Sequence, residues 1–318
     1  MVYIGIDVGA TTIKIGIVDQ HGSILVKDSC LTLVRRGYQA MVDDMVNLSK
    51  KLLSESGHTM ADVHSVGIGI PGMQDMRTHR VPFCTNLQWH DVPLEEIMRE
   101  RMGVPVYVNN DANVAALAEA KAGATKNVKN SVVVTLGTGV GGGVILNGKL
   151  FTGSHGVATE VGHIVIKDGG EMCTCGNTGC WERYASATAL IREGRKFAEA
   201  HPDSALCRQV NGDLSQIAAR TVIDLAKAGD ADCLKLFDDY CYYLAVGLVN
   251  LINVYDPEII ALGGGVSGAG DFLLDRVKAL LPNMVFFKTM EYADVVLCKL
   301  GNDAGIIGAA MLGTQEEE

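Results

Sequence analysis

The sequence predicts an α/β protein built from two lobes of related fold. Strand-like and helical segments alternate along most of the 318 residues, which is the pattern of mixed α/β folds. A glycine-rich β-hairpin followed by a third strand occurs near the start of the chain and again near its middle. A chain of this length has room for more than one domain. The repeated unit therefore indicates two lobes that share a common plan.

Each repeat has its own turn signals. The first hairpin covers Tyr3–Val18 with a Gly/Thr turn, and the chain turns again at His21-Gly22 before a third strand. The second covers Ser131–Leu146 and turns at Asn147-Gly148. Asn-Gly between apolar runs favours a hairpin because both residues tolerate positive φ. Either hairpin alone can arise by chance, but the matched third strand favours duplication.

Apolar periodicity and turn residues predict the other elements. These are a helix over Tyr38–Ser56, strands over Val63–Ile70 and Val104–Val108, a helix over Asp111–Lys121, a mostly helical region over Ser186–Asn253, a strand over Glu258–Leu262, a helix from Asp271, and a helix over Asp303–Leu312 before a solvated Glu316–Glu318 tail. No Pro/Ser linker separates the lobes, so the boundary is expected inside the Ala-rich helix. The predicted domains are residues 1–117 with 300–318, and residues 118–299.

Composition and charge narrow the class of protein. A net charge of −10 disfavours a general affinity for nucleic acid. The start of the chain lacks the basic region and long apolar core of a secretory signal. The longest apolar stretch, Tyr242–Tyr255, is too short and too interrupted by asparagine to span a bilayer. Nine cysteines in a chain without a signal argue against a disulfide framework. We therefore expect a cytoplasmic protein without a membrane segment.

Three glycine-rich turns are candidate nucleotide-binding segments. Asp7–Thr12 follows an apolar strand, and its glycines, hydroxyls and N–H groups suit a phosphate, while Asp7 suits a metal-bound water. Leu136–Gly143 offers the same chemistry in the second repeat, so the two turns together could clamp a triphosphate. Gly263–Ser267 lies after a short strand and before a helix, where α/β proteins bind ligands. For each segment alone, a plain structural turn is the competing interpretation.

A polar segment, Asn109–Asn113, joins a predicted strand to a predicted helix. Asp111 within it can cap the helix, because Asp and Asn favour that position. A carboxylate flanked by amides can also bind vicinal hydroxyls and accept one proton, as the general base of phosphoryl transfer must. The two roles are compatible.

The most specific signal is a set of four metal ligands. His163, Cys173, Cys175 and Cys180 lie within eighteen residues, with glycines bending the loop between them. One imidazole and three thiolates satisfy a tetrahedral structural Zn²⁺. Such a site has no open position, so the zinc would organise the loop rather than catalyse. The folded loop is expected to carry Glu160 and Glu182 towards one site for sugar hydroxyls; without the cysteines, two solvated glutamates would be the better interpretation.

Taken together, these motifs resemble the ROK family of bacterial sugar kinases, most nearly its glucokinases. The resemblance covers nearly the whole chain, and its most discriminating part is the cysteine–glycine block. The matching segments are Asp-x-Gly-x-Thr at Asp7, Gly69–Gly72, Asn86-Leu87, Asn110–Asn113, Leu136–Gly141, Glu160–His163, Cys173–Glu182, Gly263–Gly265 and Gly301–Gly308. The resemblance implies a two-lobed actin-like and hexokinase-like ATPase fold, with duplicated ribonuclease H-like lobes, an interlobe cleft and a zinc-binding loop.

The resemblance also implies a role for each motif. Asp111 would deprotonate the primary hydroxyl of a hexose, with glucose as the expected sugar, and His163 would serve both zinc and sugar, one ring nitrogen to each. The implied sugar-binding residues are Gly72, Asn86, Asn110, Asp111, Glu160, His163 and Glu182. The implied residues for ATP and Mg²⁺ are Asp7, Gly9, Thr11, Thr12, Lys14, Gly137, Thr138, Gly139, Gly264 and Gly265. The zinc ligands would be His163, Cys173, Cys175 and Cys180.

Two positions depart from the family pattern. Thr159 stands before Glu160 where the family usually has glycine, and Trp181 stands before Glu182 where leucine is commoner. Both departures bear on the preferred hexose more than on the reaction. The alternative substrates are N-acetylmannosamine, mannose, fructose and allose.

Two other classes of protein compete with a sugar kinase. DNA-binding regulators of the family carry a helix-turn-helix before the Asp-x-Gly motif, which here begins at Asp7. A non-catalytic protein that only senses a sugar is the version of this interpretation that stays open. A redox or zinc-storage protein would have no use for the other motifs.

Family members are commonly dimers or tetramers, so we expect a homo-oligomer.

Overall fold

The apolar patterns locate most of the secondary structure. The computed structural model describes residues 1–315, so the predicted solvated tail at residues 316–318 lies outside it. The first half of the chain contains β1 (Val2–Val8), β2 (Thr12–Asp19), β3 (Ile24–Leu31), α1 (Gly37–Glu55), β4 (Val63–Ile70), β5 (Val81–Cys84), β6 (Trp89–Val92), α2 (Leu94–Met102), β7 (Val106–Asn110) and α3 (Asp111–Ala122). The predicted helix over Tyr38–Ser56 and strand over Val63–Ile70 are confirmed.

The second half is richer in helix, as predicted. It contains β8 (Ser131–Leu136), β9 (Val140–Leu146), β10 (Lys149–Leu150), α4 (Glu182–Ala185), α5 (Ala187–Ala200), α6 (Ala205–Gln209), α7 (Ala219–Lys227), α8 (Ala231–Tyr255), β11 (Ile259–Gly263), α9 (Asp271–Met284), β12 (Asp294–Leu297) and α10 (Ala304–Met311). No helix within residues 1–315 is both long and apolar enough to cross a membrane.

Two five-stranded sheets have the same strand order. The first runs β3-β2-β1-β4-β7 and the second runs β10-β9-β8-β11-β12. In each, the third strand of the hairpin unit lies at an edge, and two later strands extend the sheet on the other side. The predicted duplication of an α/β plan is therefore confirmed. The Asn147-Gly148 turn also forms as predicted, with φ of +53° at Asn147 and +81° at Gly148.

The chain folds into two compact units. One comprises Met1–Val133, Gly143–Thr159 and the chain from Cys298 onwards, and the other comprises Val134–Gly142 and Glu160–Leu297. Residue 117, the sequence-based boundary, lies inside α3 in the first unit, and the domain limits given above stay a prediction.

Helix α10 packs directly on the first sheet. A Cβ at Gly5 in β1 would lie 1.9 Å from the Ile306 carbonyl oxygen, and one at Gly67 in β4 would lie 1.7 Å from that of Ala309. Only glycine allows this approach, because any side chain there would meet helix backbone. These two glycines thus explain how the end of the chain completes the core of the first unit.

Strand β7 differs from its prediction. The predicted strand over Val104–Val108 was wrong at both ends, since the ladder with β4 pairs Val66 with Val106 and continues to Ile70 with Asn110. The strand continues past the apolar residue Val108, because Asn109 and Asn110 also pair with β4. The strand therefore delivers Asn110 directly to the start of α3.

Candidate active site and metal centre

Three parallel strands of the first unit end side by side. In the ladders of β1, β4 and β7, Asp7 lies opposite Gly69, which lies opposite Asn109. The carboxyl ends of these strands thus carry Asp7, the Pro71-Gly72 turn and Asp111 along one edge. This edge is where open α/β sheets bind ligands. Neighbouring strands lie about 4.8 Å apart, so Asp7 and Asn109 are separated by roughly twice that distance.

Asp111 is the first residue of α3, and its side chain is exposed. The helix cap is Asn110, whose Oδ1 accepts hydrogen bonds from the N–H groups of Ala112 at 2.9 Å and Asn113 at 3.4 Å. The Asp111 carboxylate also accepts the Ala112 N–H, at 2.8 Å. The idea that Asp111 itself caps the helix needs this correction: the cap is Asn110, because Asp111 is already the first residue of the helix.

Gly72, Asn86 and Asn110 surround the same part of the first unit. Asn110 Nδ2 donates to the Gly72 carbonyl oxygen at 3.3 Å. A Cβ on Gly72 would lie 3.2 Å from Cys84 Cβ, and the exposed Asn86 follows in the turn after Cys84. Burial raises the pKa of the Cys84 thiol, and the nearby charge of Asp111 adds to the effect. The structure therefore brings these three predicted sugar-binding residues near Asp111.

The first phosphate turn has defined polar contacts. Asp7 in β1 pairs with Lys14 in β2, with 3.2 Å between Oδ2 and Nζ. The turn between them is closed by a hydrogen bond from Gly9 N–H to the Thr12 carbonyl oxygen at 3.0 Å. Thr11 is exposed and Thr12 is half-buried. All five predicted residues of this turn lie together, at the same sheet end as Asp111.

The second unit brings the other two glycine turns together. Gly137 N–H donates to the Gly139 carbonyl oxygen at 3.0 Å, and Thr138 between them is exposed. Gly264 has a φ of +84°, and a Cβ there would lie 2.6 Å from Leu136 backbone. Around Gly265 the space is open. Gly264 therefore lies against the strand that leads into the Gly137–Gly139 turn.

The four predicted metal ligands converge in the second unit. The ligand atoms of His163, Cys173, Cys175 and Cys180 all lie within 4.8 Å of one another. Cys175 Sγ and Cys180 Sγ are 3.7 Å apart, as are Cys173 Sγ and His163 Nδ1. A tetrahedral site with Zn–S bonds of about 2.3 Å has S–S edges of about 3.8 Å. The cluster could therefore hold a zinc ion.

The charges of this cluster suit a cation. Burial raises the pKa of the Cys173 thiol and raises that of Cys180 to about 12. A hydrogen bond from Asn177 N–H lowers the pKa of the exposed Cys175 thiol. Thiolates at the buried positions need a compensating positive charge, which a bound divalent metal ion supplies. His163 turns Nδ1 towards the cluster, which leaves Nε2 for a second partner.

Glu182 connects the cysteine cluster with the glycine turn. Its Oε1 accepts a hydrogen bond from the Cys173 thiol at 3.4 Å, and its Oε2 accepts one from Val140 N–H at 3.4 Å. A Cβ at Gly139 would lie 2.3 Å from Oε2, so glycine is required for this approach. Glu160 is exposed, and its carbonyl oxygen accepts His163 N–H at 3.0 Å. The predicted sugar and phosphate residues of this unit are therefore contiguous.

Trp181 points away from this group of polar residues. Its side chain is 0% exposed, and its indole N–H donates to the Tyr243 carbonyl oxygen at 2.9 Å in α8. A Cβ at Gly247 would lie 1.9 Å from the indole ring. Trp181 and Gly247 thus form a complementary pair in the core. Any influence of Trp181 on the sugar would act through packing beneath Glu182.

This pair gives a stability prediction. We expect Gly247→Ala to destabilise the protein by about 1–3 kcal/mol, as overpacking of a core does, despite the better helix propensity of alanine. Urea unfolding followed by Trp fluorescence measures the change. Gly268→Ala is the matched control, because a Cβ there meets open space and no positive φ is involved. Equal midpoints for both variants would contradict the packing argument.

Thr159 and Asn113 are the residues whose importance sequence reasoning underestimated. Thr159 is buried with a φ of +71°, a conformation that favours glycine and is unfavourable for a β-branched residue. Its hydroxyl donates to Asn113 Oδ1 at 3.0 Å. The signal in the sequence was the threonine at a position where the family usually has glycine. Nothing in the sequence placed it beside Asn113.

Comparison with known proteins gives a consistent result. The model of the ROK family matches residues 3–316. A glucokinase from Halalkalibacterium halodurans is 39% identical over 99% of this chain and 96% of its own. A ROK family glucokinase from Streptomyces griseus, solved in complex with glucose and AMPPNP, is 36% identical with a TM-score of 0.82, covering 99% of this chain and 100% of that one. A ROK hexokinase from Thermus thermophilus is 29% identical with a TM-score of 0.86, and the match covers 100% of this chain and 99% of that one.

Proposed function

Because the chain belongs to the ROK family, we propose that it is an ATP-dependent hexokinase that phosphorylates the primary hydroxyl of glucose. The glucokinase relatives at 36–39% identity support the enzyme class and the substrate. The relative solved with glucose and AMPPNP supports ATP as the donor. The observation that carries the proposal is the Glu182 carboxylate, which accepts hydrogen bonds from the Cys173 thiol and from Val140 N–H, next to the Gly137–Gly139 turn.

In the proposed reaction, Asp111 accepts the proton of the sugar hydroxyl as it attacks the γ-phosphorus. Its carboxylate is exposed at the start of α3, and a positioned carboxylate is the base that phosphoryl transfer uses. Asn110 and Gly72 lie beside it. With Asn86, Glu160, His163 and Glu182, they are proposed to hold the remaining hydroxyls.

The glycine turns are proposed as the donor-binding segments. Backbone N–H groups and hydroxyls in Asp7–Thr12 and Gly137–Gly139 suit phosphate oxygens, with Lys14 as a nearby cation. Gly264 and Gly265 would lie beside the adenosine, because the space around Gly265 is open. Asp7 would hold Mg²⁺ through water, and the cation would neutralise phosphate charge.

The four-ligand cluster is proposed to bind a structural zinc ion. Its residues fit, since a closed His/Cys₃ set is typical of structural zinc. Zinc bound there would fix the loop that carries His163, and would leave its Nε2 to donate to the sugar. A cytoplasmic location and a homo-oligomer, dimer or tetramer, stay predictions from the sequence.

A coupled ADP-release assay tests this function. Purified protein is supplied with MgATP and, separately, glucose, mannose, fructose, N-acetylmannosamine or allose, with a sugar-free control for ATP hydrolysis. We expect the highest kcat/KM with glucose, and glucose 6-phosphate as product. If another hexose were phosphorylated and glucose were not, that hexose would replace glucose as the proposed substrate, and the proposed phosphoryl transfer would stand. Turnover of none would favour a sugar-sensing protein.

A further inference from the structure

Thr159 is held in a conformation that its side chain disfavours. It is 8% exposed with a φ of +71°, and a non-glycine residue in the left-handed region costs roughly 1–3 kcal/mol. Glycine would remove this cost, so the threonine side chain must contribute something that glycine lacks. Its hydroxyl is the group that makes polar contacts, with Asn113 Oδ1 at 3.0 Å and the Ala158 carbonyl oxygen at 2.5 Å.

A backbone N–H fixes the direction of the hydrogen bonds in this region. Asn110 N–H donates to Asn109 Oδ1 at 2.8 Å, which identifies that atom as oxygen. Asn113 Nδ2 donates to the same oxygen at 3.0 Å, so Asn113 Oδ1 must face Thr159. Asn113 is only 1% exposed, and a buried acceptor without a donor costs about 1–3 kcal/mol. The Thr159 hydroxyl is a donor within reach of this oxygen, at 3.0 Å, and it also contacts the Ala158 carbonyl oxygen.

The same network ends at the first turn of α3. Asn113 lies in that turn, and its backbone N–H is bonded to Asn110 Oδ1, which also accepts Ala112 N–H. Asn110 Nδ2 in turn donates to the Gly72 carbonyl oxygen. Three asparagine side chains thus join the end of β7 to the helix that begins with Asp111. Thr159 closes the network from a distant part of the chain.

We propose that Thr159 is a positioning residue for phosphoryl transfer. Its hydroxyl holds the Asn113 amide in one orientation, and Asn113 then holds Asn109 and the first turn of α3, which sets the place of the Asp111 carboxylate. Thr159 itself need not touch the sugar. This inference rests on the proposed function, because it assigns a role relative to the base of that reaction. Small displacements of a reacting group can cost about 100-fold in rate.

The test compares variants that separate the hydroxyl from the backbone conformation. Thr159→Val keeps the shape and the β-branching but removes the hydroxyl. We expect it to lower kcat with glucose at least about tenfold, with KM for ATP unchanged. Thr159→Ser keeps the hydroxyl, and we expect it to restore kcat to within about threefold of the wild type. Circular dichroism and thermal melting establish that each variant is folded.

A second variant covers the case in which Thr159→Val does not fold. Thr159→Gly relieves the backbone strain and also lacks the hydroxyl, so we expect a folded protein with the same loss of kcat. Wild-type kcat in Thr159→Gly would overturn the inference, as would wild-type kcat in a folded Thr159→Val. If the wild type turned over no hexose, the proposed function would fail and this inference with it; a fully active wild type with active variants would overturn the inference alone.

Discussion

Asp111→Asn is expected to lower kcat with glucose by at least about 100-fold, the lower range for loss of a general base. Asparagine has the same shape and keeps an oxygen that can accept the Ala112 N–H, the hydrogen bond that Asp111 makes at 2.8 Å. The start of α3 should therefore stay intact, because Asn110 provides the main cap. What the substitution removes is the ability to accept a proton. The coupled ADP-release assay measures kcat and both KM values.

Asp232→Asn is the matched control. Asp232 is an exposed acidic residue in the first turn of α8, so the same change of charge is made at a helix start that the proposed reaction does not use. We expect its kcat to equal that of the wild type. Calorimetric titration with glucose should give similar Kd values for both variants. A kcat for Asp111→Asn within about threefold of the wild type would remove Asp111 as the base.

The sequence predicts the fold well where apolar residues follow a simple period. Strand β4 was predicted residue for residue, because Val63–Ile70 is almost continuously buried. The β5–β6 hairpin was not predicted. Val81–Cys84 and Trp89–Val92 each have two exposed residues between two buried ones, which is neither alternation nor an apolar run. Helix α2 was also missed, although Leu94, Met98 and Met102 have helical spacing.

The long-range contacts of the fold could not be predicted from one sequence. Glu119 is a carboxylate in α3 that is only 1% exposed. It accepts hydrogen bonds from Lys299 N–H at 3.0 Å and Leu300 N–H at 2.9 Å, far along the chain. In the sequence it is one more glutamate of an Ala-rich helix. Burial of a charge is tolerated when hydrogen bonds satisfy it, and these partners are apparent only after folding.

In the candidate site, too, local sequence patterns could be predicted and long-range contacts could not. The cysteine spacing alone predicted which four residues converge, since a short glycine-rich loop leaves few other arrangements. The role of Asn110 as cap was not predicted, because it depends on where β7 ends. The conformation of Thr159 was not predicted either, since its departure from glycine identified the position but not the partner. Local patterns thus identify ligands, whereas the orientation of a side chain depends on residues that meet only in three dimensions.

Cys175→Ser is expected to remove zinc and to raise KM for glucose at least about tenfold, the effect typical of disturbing the surroundings of a metal site. Cys175 is the one exposed cysteine of the cluster, so the substitution leaves no cavity in the core. A serine hydroxyl does not replace a thiolate as a zinc ligand at neutral pH. Without the metal, the four ligand side chains are no longer tied together, so the loop no longer fixes His163 or the Cys173 side chain beside Glu182. Zinc content by mass spectrometry and the KM values for glucose and ATP measure the effect.

Cys207→Ser controls for the loss of a thiol, since Cys207 is a partly exposed cysteine of α6 outside the cluster. It should keep its zinc and its KM. Treating the wild type with a chelator should remove its zinc and raise its KM for glucose, as Cys175→Ser does. Added zinc should restore the KM of the wild type but not that of the variant. The rise in KM should be confined to the sugar, because the Gly137–Gly139 turn makes its own backbone hydrogen bonds, including Ala187 N–H to the Gly137 carbonyl oxygen at 2.8 Å. Full zinc content with an unchanged KM in Cys175→Ser would contradict both the metal assignment and its link to sugar binding.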